Sequence, residues 1–201
     1  MTSIQNSIGP MAPAAPEKKE EAKKKLSPVE QEYEDGKGFL ESGDHAHAAL
    51  AFHNVMLAHE EAGDENGIAN AANQLGNVCM ARKEYEQARA HYQRAWDICD
   101  KNFDEMSLIA LKRQFLAIHK ALGENDKVAE ILFDFIDIYQ SNRDPHGTVA
   151  VLEELAELYI ETGSRDKAAD TYRTIASIHK NYKHEKIAAG FVTKAEELEA
   201  N

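Results

Sequence analysis

Small and large apolar positions recur along this chain at one fixed distance. A small or modest side chain at Ala48, Ala88, Val128 and Ala168 is followed four residues later by a large one, at Phe52, Tyr92, Leu132 and Tyr172. Three residues further on stands another apolar position, Val55, Ala95, Phe135 and Ile175. Spacings of three and four place each trio on one helical face. A second set comes earlier in each unit: Gly36, Gly76, Leu116 and Ala156, then Phe39, Cys79, His119 and Tyr159. Between the two sets lie short turn signals, Ser42-Gly43-Asp44, Arg82-Lys83-Glu84, Leu122-Gly123-Glu124 and Thr162-Gly163-Ser164, which recur every 40 residues without an insertion. The pattern predicts a helix, a turn and a second helix, repeated at 29–68, 69–108, 109–148 and 149–188, with small residues facing large ones across each pair.

The turns have a physical reason. A helix ends at low cost on a residue that tolerates the left-handed conformation, and glycine supplies it at three of the four turns. Lys83 departs from this, so the second turn either ends its helix differently or holds a strained left-handed lysine. Ser27, Pro28 and Glu30 form the sequence signature of a capped helix start, and Asp144-Pro145 gives a similar one. The stretch 61–67 reads as a looser connection between units. Residues 184–200 read as a closing cap helix with Ile187, Phe191, Ala195 and Leu198 on one side, making nine helices in all. A single helix pair cannot cover its own apolar face, so neighbouring pairs must stack into a solenoid.

Charge and composition narrow the function classes. The formal charge is -12, and residues 1–27 carry five lysines against three glutamates, which leaves -14 for the remainder. Nucleic acid is therefore an unfitting partner for the body, which has little with which to neutralise phosphates. Two cysteines, Cys79 and Cys99, are too few for a disulfide framework, although pairing between them stays open. No apolar run approaches the roughly 20 residues of a membrane span, and nothing at the N-terminus has the form of a signal peptide. These features predict a cytoplasmic protein with reduced thiols. Residues 1–26, with Pro10, Pro13 and Pro16 and then a mixed-charge run, are expected to be a disordered tail, and 27–201 the repeat domain.

Leu75-Gly76 in a first helix with Ala88, Tyr92 and Ala95 in the second resembles the tetratricopeptide repeat (TPR) family. The run Asn73-Gln74-Leu75-Gly76-Asn77, followed by Tyr85-Glu86, is similar to the extended 40-residue repeats of Leu-Gly-Asn repeat scaffold proteins. A period of 40 alone also fits HEAT or armadillo arrays, but the small-then-large registers in all four units favour the tetratricopeptide pattern. The resemblance implies an all-α, right-handed superhelical solenoid of four helix-turn-helix repeats plus a C-terminal capping helix. It also implies a concave groove, lined by the first helices, that receives peptides or helices. The matching positions here are Tyr33, Lys37, Asn73, Asn77, Met80, Arg113, Lys120, Glu153, Glu157 and Ile160. The expected function is a non-catalytic scaffold or adaptor binding a protein or peptide. The alternative is a peptide-sensing regulator or secretion-type chaperone using the same groove. Arg113 and Glu153 share a register in adjacent units, so pairing along the stack competes with ligand contact.

Ile131 and Phe133 make the second helix of the third unit apolar beyond its inner face, which marks a candidate self-association surface and a homo-oligomer. Chemistry is otherwise sparse. On the helix holding His45, His47, His53 and His59 no two histidines stand three or four apart, so no metal site is expected. His119 reads as a packed core histidine and Cys79 as an inert buried thiol. No phosphate-binding glycine loop or nucleophile elbow is present, and neither an enzyme activity nor a cofactor is expected.

Overall fold

The computed structural model describes residues 26–200, and the expected N-terminal tail falls almost entirely outside them. Among the described residues are nine helices and no strands: α1 (Pro28–Glu41), α2 (His45–Ala62), α3 (Glu65–Ala81), α4 (Tyr85–Lys101), α5 (Glu105–Leu122), α6 (Asn125–Ser141), α7 (Pro145–Glu161), α8 (Arg165–Asn181) and α9 (Glu185–Ala200). They form an all-α repeat solenoid. Odd-numbered helices carry the first-helix registers and even-numbered ones the second-helix registers.

Each reversal between helices is the same local structure. A left-handed residue stands at Gly43, Gly63, Lys83, Phe103, Gly123, Arg143, Gly163 and Lys183, one every 20 residues. At the first, Gly43 N–H donates to the Leu40 carbonyl at 3.1 Å and Asp44 N–H to the Phe39 carbonyl at 2.8 Å, and both bonds recur in register at every later turn. Two otherwise orphaned carbonyls are satisfied this way. The residue just past the turn then starts the next helix. Asp44, Asp64, Asp104 and Asp144 each accept a hydrogen bond from the backbone three residues on. These bonds, from His47 N–H to Asp44 and from Gly67 N–H to Asp64, hold both carboxyls below the usual carboxylate range. A hydrogen bond with the Ser107 side chain is the largest cause of the same shift at Asp104.

The connections between units are therefore as tight as the turns within them, which corrects the expectation of a looser link at 61–67. Only Gly63 of those four connecting turns is a glycine, and Phe103, Arg143 and Lys183 adopt the left-handed state against their own steric preference. Ser27 and Glu30 complete the expected reciprocal cap at the start of α1, with Ser27 N–H 2.7 Å from the Glu30 carboxylate.

Packing follows the registers. Ala48, Ala88, Val128 and Ala168 are fully buried, as are Phe52, Tyr92 and Leu132, with Tyr172 nearly so. The small residues on the first helices make room for them. A methyl group at Gly76 would stand 2.4 Å from the Tyr92 ring, and one at Gly36 would stand 2.9 Å from Phe52. The interior first helix α3 is apolar on two faces. In α3, Ala71, Leu75 and Val78 pack toward the preceding pair, while Ala72 and Cys79 pack toward α4.

The ends of the stack break this rule in opposite senses. In α1 the backward-facing registers hold Gln31, Asp35 and Gly38, polar or bare where α3 holds Ala71, Leu75 and Val78. In α9, Ala188, Phe191 and Ala195 are buried against the body, but the face that a further second helix would cover carries Glu196 and Glu199. Both end faces are thereby more polar than the interior face of α3. Ile187 lies half exposed, so the buried stripe of α9 begins one residue later than the expected one.

Lys83, with φ 60°, is left-handed and not an alternative helix end. A non-glycine residue there costs about 1–2 kcal/mol, offset in part by the roughly 0.4–1 kcal/mol of extra unfolded-chain entropy that glycine brings. Lys83→Gly is therefore expected to raise the midpoint of urea unfolding, with a net gain of up to about 1.6 kcal/mol. A midpoint that does not rise contradicts the strain.

Candidate functional site

First helices stand side by side and are tied by their own side chains. The Gln74 amide on α3 donates to the Tyr33 hydroxyl on α1 at 3.0 Å. Asn77 donates to the Gln74 carbonyl oxygen at 3.0 Å, and the Tyr92 hydroxyl on α4 donates to Asn77 Oδ1 at 2.7 Å. Gln114, one unit after Gln74, lies 3.4 Å from the same hydroxyl. A chain of amides and phenols thus crosses three units. Burial pushes the Tyr92 hydroxyl far above its ordinary pKa, so it stays a neutral donor.

Charges on this face are partly consumed within the protein. Arg113 lies over the Phe135 ring at 3.9 Å and donates to Glu154 at 3.3 Å and to the Tyr139 hydroxyl at 3.2 Å. Lys120 donates to the same Glu154 at 2.7 Å. The pairing along the stack expected of Arg113 does occur, but with Glu154 instead of Glu153. A long arginine reaches diagonally to the next side chain and gains a ring to lie on. Glu153 and Glu157 keep no hydrogen bond or ion pair among the described residues, and both add to the upward shift that burial gives the Tyr172 hydroxyl.

The expected groove residues thus divide. Tyr33, Asn77, Arg113 and Lys120 are engaged with neighbours in the stack. Lys37 is held by Glu34 on its own helix at 2.9 Å. Met80 packs at the edge of the α3–α5 core. Asn73, Glu153 and Glu157 present polar groups without a partner among the described residues, and Ile160 is exposed. A cavity of about 790 Å³ opens beside Tyr33 between the starts of α1 and α3, and a smaller one of about 260 Å³ lies between Lys120, Glu157 and Glu161.

Other candidates change character in the structure. His119 is largely buried, as expected of a core histidine, yet its Nδ1 is bonded to the Glu124 carboxylate just past the turn. That bond is the main cause of Glu124's lowered pKa. Cys79 and Cys99 are both free and buried, and burial pushes both thiols up, away from the reactive thiolate. Ile131 turns inward against a cavity between α4 and α6, leaving Phe133 as the exposed ring on that helix. No group of three or more metal-ligating side chains occurs among the described residues, and no described helix is long and apolar enough to cross a membrane.

Comparison with family models returned no match, and no curated protein matches either. Solved structures do. BtubC (BKLC) from P. vanneervenii superposes with a TM-score of 0.59 at 15% identity, covering 86% of this chain and 80% of that one. A kinesin light chain candidate from Podosopora anserina with nearly identical TPR-like repeats superposes with a TM-score of 0.59 at 14% identity, covering 86% of this chain and 95% of that one. A variant form of the same repeats gives a TM-score of 0.58. The chain therefore has the TPR-like repeat fold, an architecture commonly used as a protein-interaction scaffold and generally non-catalytic.

The engaged charges make a direct prediction. Arg113→Ala removes a ring contact and two hydrogen bonds at a half-buried site and leaves Glu154 with Lys120 alone. It is expected to cost about 1–2 kcal/mol in urea unfolding. A loss below about 0.5 kcal/mol would show the pairing to be an idle surface contact.

Proposed function

We propose that the protein is a non-catalytic adaptor that holds a segment of another protein along the row of first helices. The observation that supports this reading is the set of polar side chains on that face left without partners among the described residues. Asn73 offers an amide to an extended backbone, and Glu153 and Glu157 offer carboxylates beside the exposed Ile160. Arg113 and Lys120 share the one carboxylate of Glu154, and Glu153, Glu157 and Glu161 outweigh the positive charge left over, so the net charge offered to a partner at this end is negative. The fitting segment is extended or helical, with a lysine or arginine near α7 and an apolar side chain against Ile160.

The test avoids Asn77 and Arg113, whose loss would disturb the stack. Partners captured with the intact chain are compared with those captured by Asn73→Ala combined with Glu157→Lys. A specific partner is expected to lose at least tenfold in affinity while the unfolding midpoint stays unchanged. Retention of every partner by the double variant contradicts the assignment.

A further inference from the structure

The repeats act as controls on one another, and they single out one place. Wherever consecutive second helices flank a first helix, the same registers line the space between them. On the leading second helix, the position that is Ala49 in the first unit and Ala129 in the third is Arg89 in the second. On the enclosed first helix, the position that is Ala72 in α3 and Leu152 in α7 is Lys112 in α5, and the position that is Cys79 and Tyr159 is His119. Only the middle junction carries cations there. A cavity of about 400 Å³ lies here between α4, α5 and α6, within the size range of small-molecule sites; the α6–α7–α8 junction has one of about 410 Å³, but at its turn end, beside Arg143, Pro145 and Tyr182, and away from the compared registers.

The lining has two parts. Trp96 and Phe115 meet edge to face with ring centres 5.9 Å apart, and Ile131 adds an aliphatic wall. Arg89, Lys112 and Lys127 bring their positive charges around this apolar floor. Lys112 is closely paired, whereas Arg89 has only long contacts, one of them to Glu86 on its own helix at 3.5 Å. Glu124 is bonded most closely by His119 and lies 3.4 Å from both Arg89 and Lys127, while Asp134 takes Lys112 at 2.7 Å. The buried Nε of Arg89 has no hydrogen-bond partner among the described residues. An orphaned guanidinium nitrogen in a strongly acidic chain is costly unless an acceptor is brought to it.

We propose that this cavity binds a small anion carried on a flat apolar body, the anionic group bridging Arg89 and Lys112 and the ring lying on Trp96 and Phe115. The cavity opens on a different face of α5 from Arg113 and Lys120, so the site is distinct from the first-helix face and does not rest on the adaptor reading. A phosphate ester and a carboxylate share the required chemistry, since arginine binds either with paired N–H groups.

Trp96 is the only tryptophan in the chain, so its fluorescence reports on the site directly. The full chain is titrated with phenyl phosphate, benzoate, inorganic phosphate and benzyl alcohol. Phenyl phosphate, benzoate or both are expected to give a saturable change, with inorganic phosphate and benzyl alcohol at least tenfold weaker. The paired variant Arg89→Ala with Lys112→Leu uses residues found at these registers in other units and should fold. It is expected to weaken the response at least tenfold, with the helical circular dichroism unchanged. The proposal is overturned if neither ring-bearing anion saturates, if inorganic phosphate binds equally well, or if the folded variant responds as the parent does. Should the variant lose its helical signal, Arg89→Lys, which keeps the charge but removes the paired N–H geometry, is read in its place by the same tenfold criterion.

Discussion

The structure depends on one local interaction, the closure of each helix end on a single left-handed residue. That residue lets two backbone N–H groups turn back onto the last carbonyls, and the next residue immediately opens the following helix. A reversal of fixed geometry every 20 residues delivers each helix to the same place against its predecessor. Self-similar packing follows from this. Gly36 lies under the Phe52 ring and Gly76 under the Tyr92 ring because the turns between them repeat one geometry. The geometry matters enough that Lys83, Phe103, Arg143 and Lys183 adopt it against their own preference. The stability that offsets those turns comes from apolar faces that bury one another along the stack.

Much of the fold was legible because glycine marks Gly43, Gly123 and Gly163, and one period could be read from them. The four turns between units were less legible, since phenylalanine, arginine and lysine are not turn formers in isolation. Their true marker was the following residue: Asp64, Asp104 and Asp144 recur 40 apart as helix starts. The caps were readable for the same reason as the repeats. Once the registers are aligned, polar residues at Gln31, Asp35, Glu196 and Glu199 stand where interior helices are apolar.

The candidate sites were harder to read, because a register gives a face but not a reach. Arg113 was placed on the right face, but its bonded partner is Glu154, one residue from the one in register, since a long flexible side chain chooses among diagonal neighbours. Tyr33 and Asn77 likewise belong to an amide chain that sequence spacing does not reveal. Lys112 was a signal available in the sequence, a positive charge in a register that is Ala72, Leu152 and Val192 in the later units and Glu32 in the first. Its meaning emerges only with Arg89 and Trp96 beside it. The units agree where they build the stack and differ where they have something left to offer, as at Asn73 and Glu157.

The central claim is that copies of one helix pair stack so as to leave the row of first helices free for another protein. Its most direct test is site-specific photo-crosslinking in the native cell, with a photoreactive residue placed at Asn73 on α3 or, as a control, at Asp170 on the outer side of α8. The account predicts a discrete adduct from position 73 and none from position 170. Adducts from position 170 alone would contradict it.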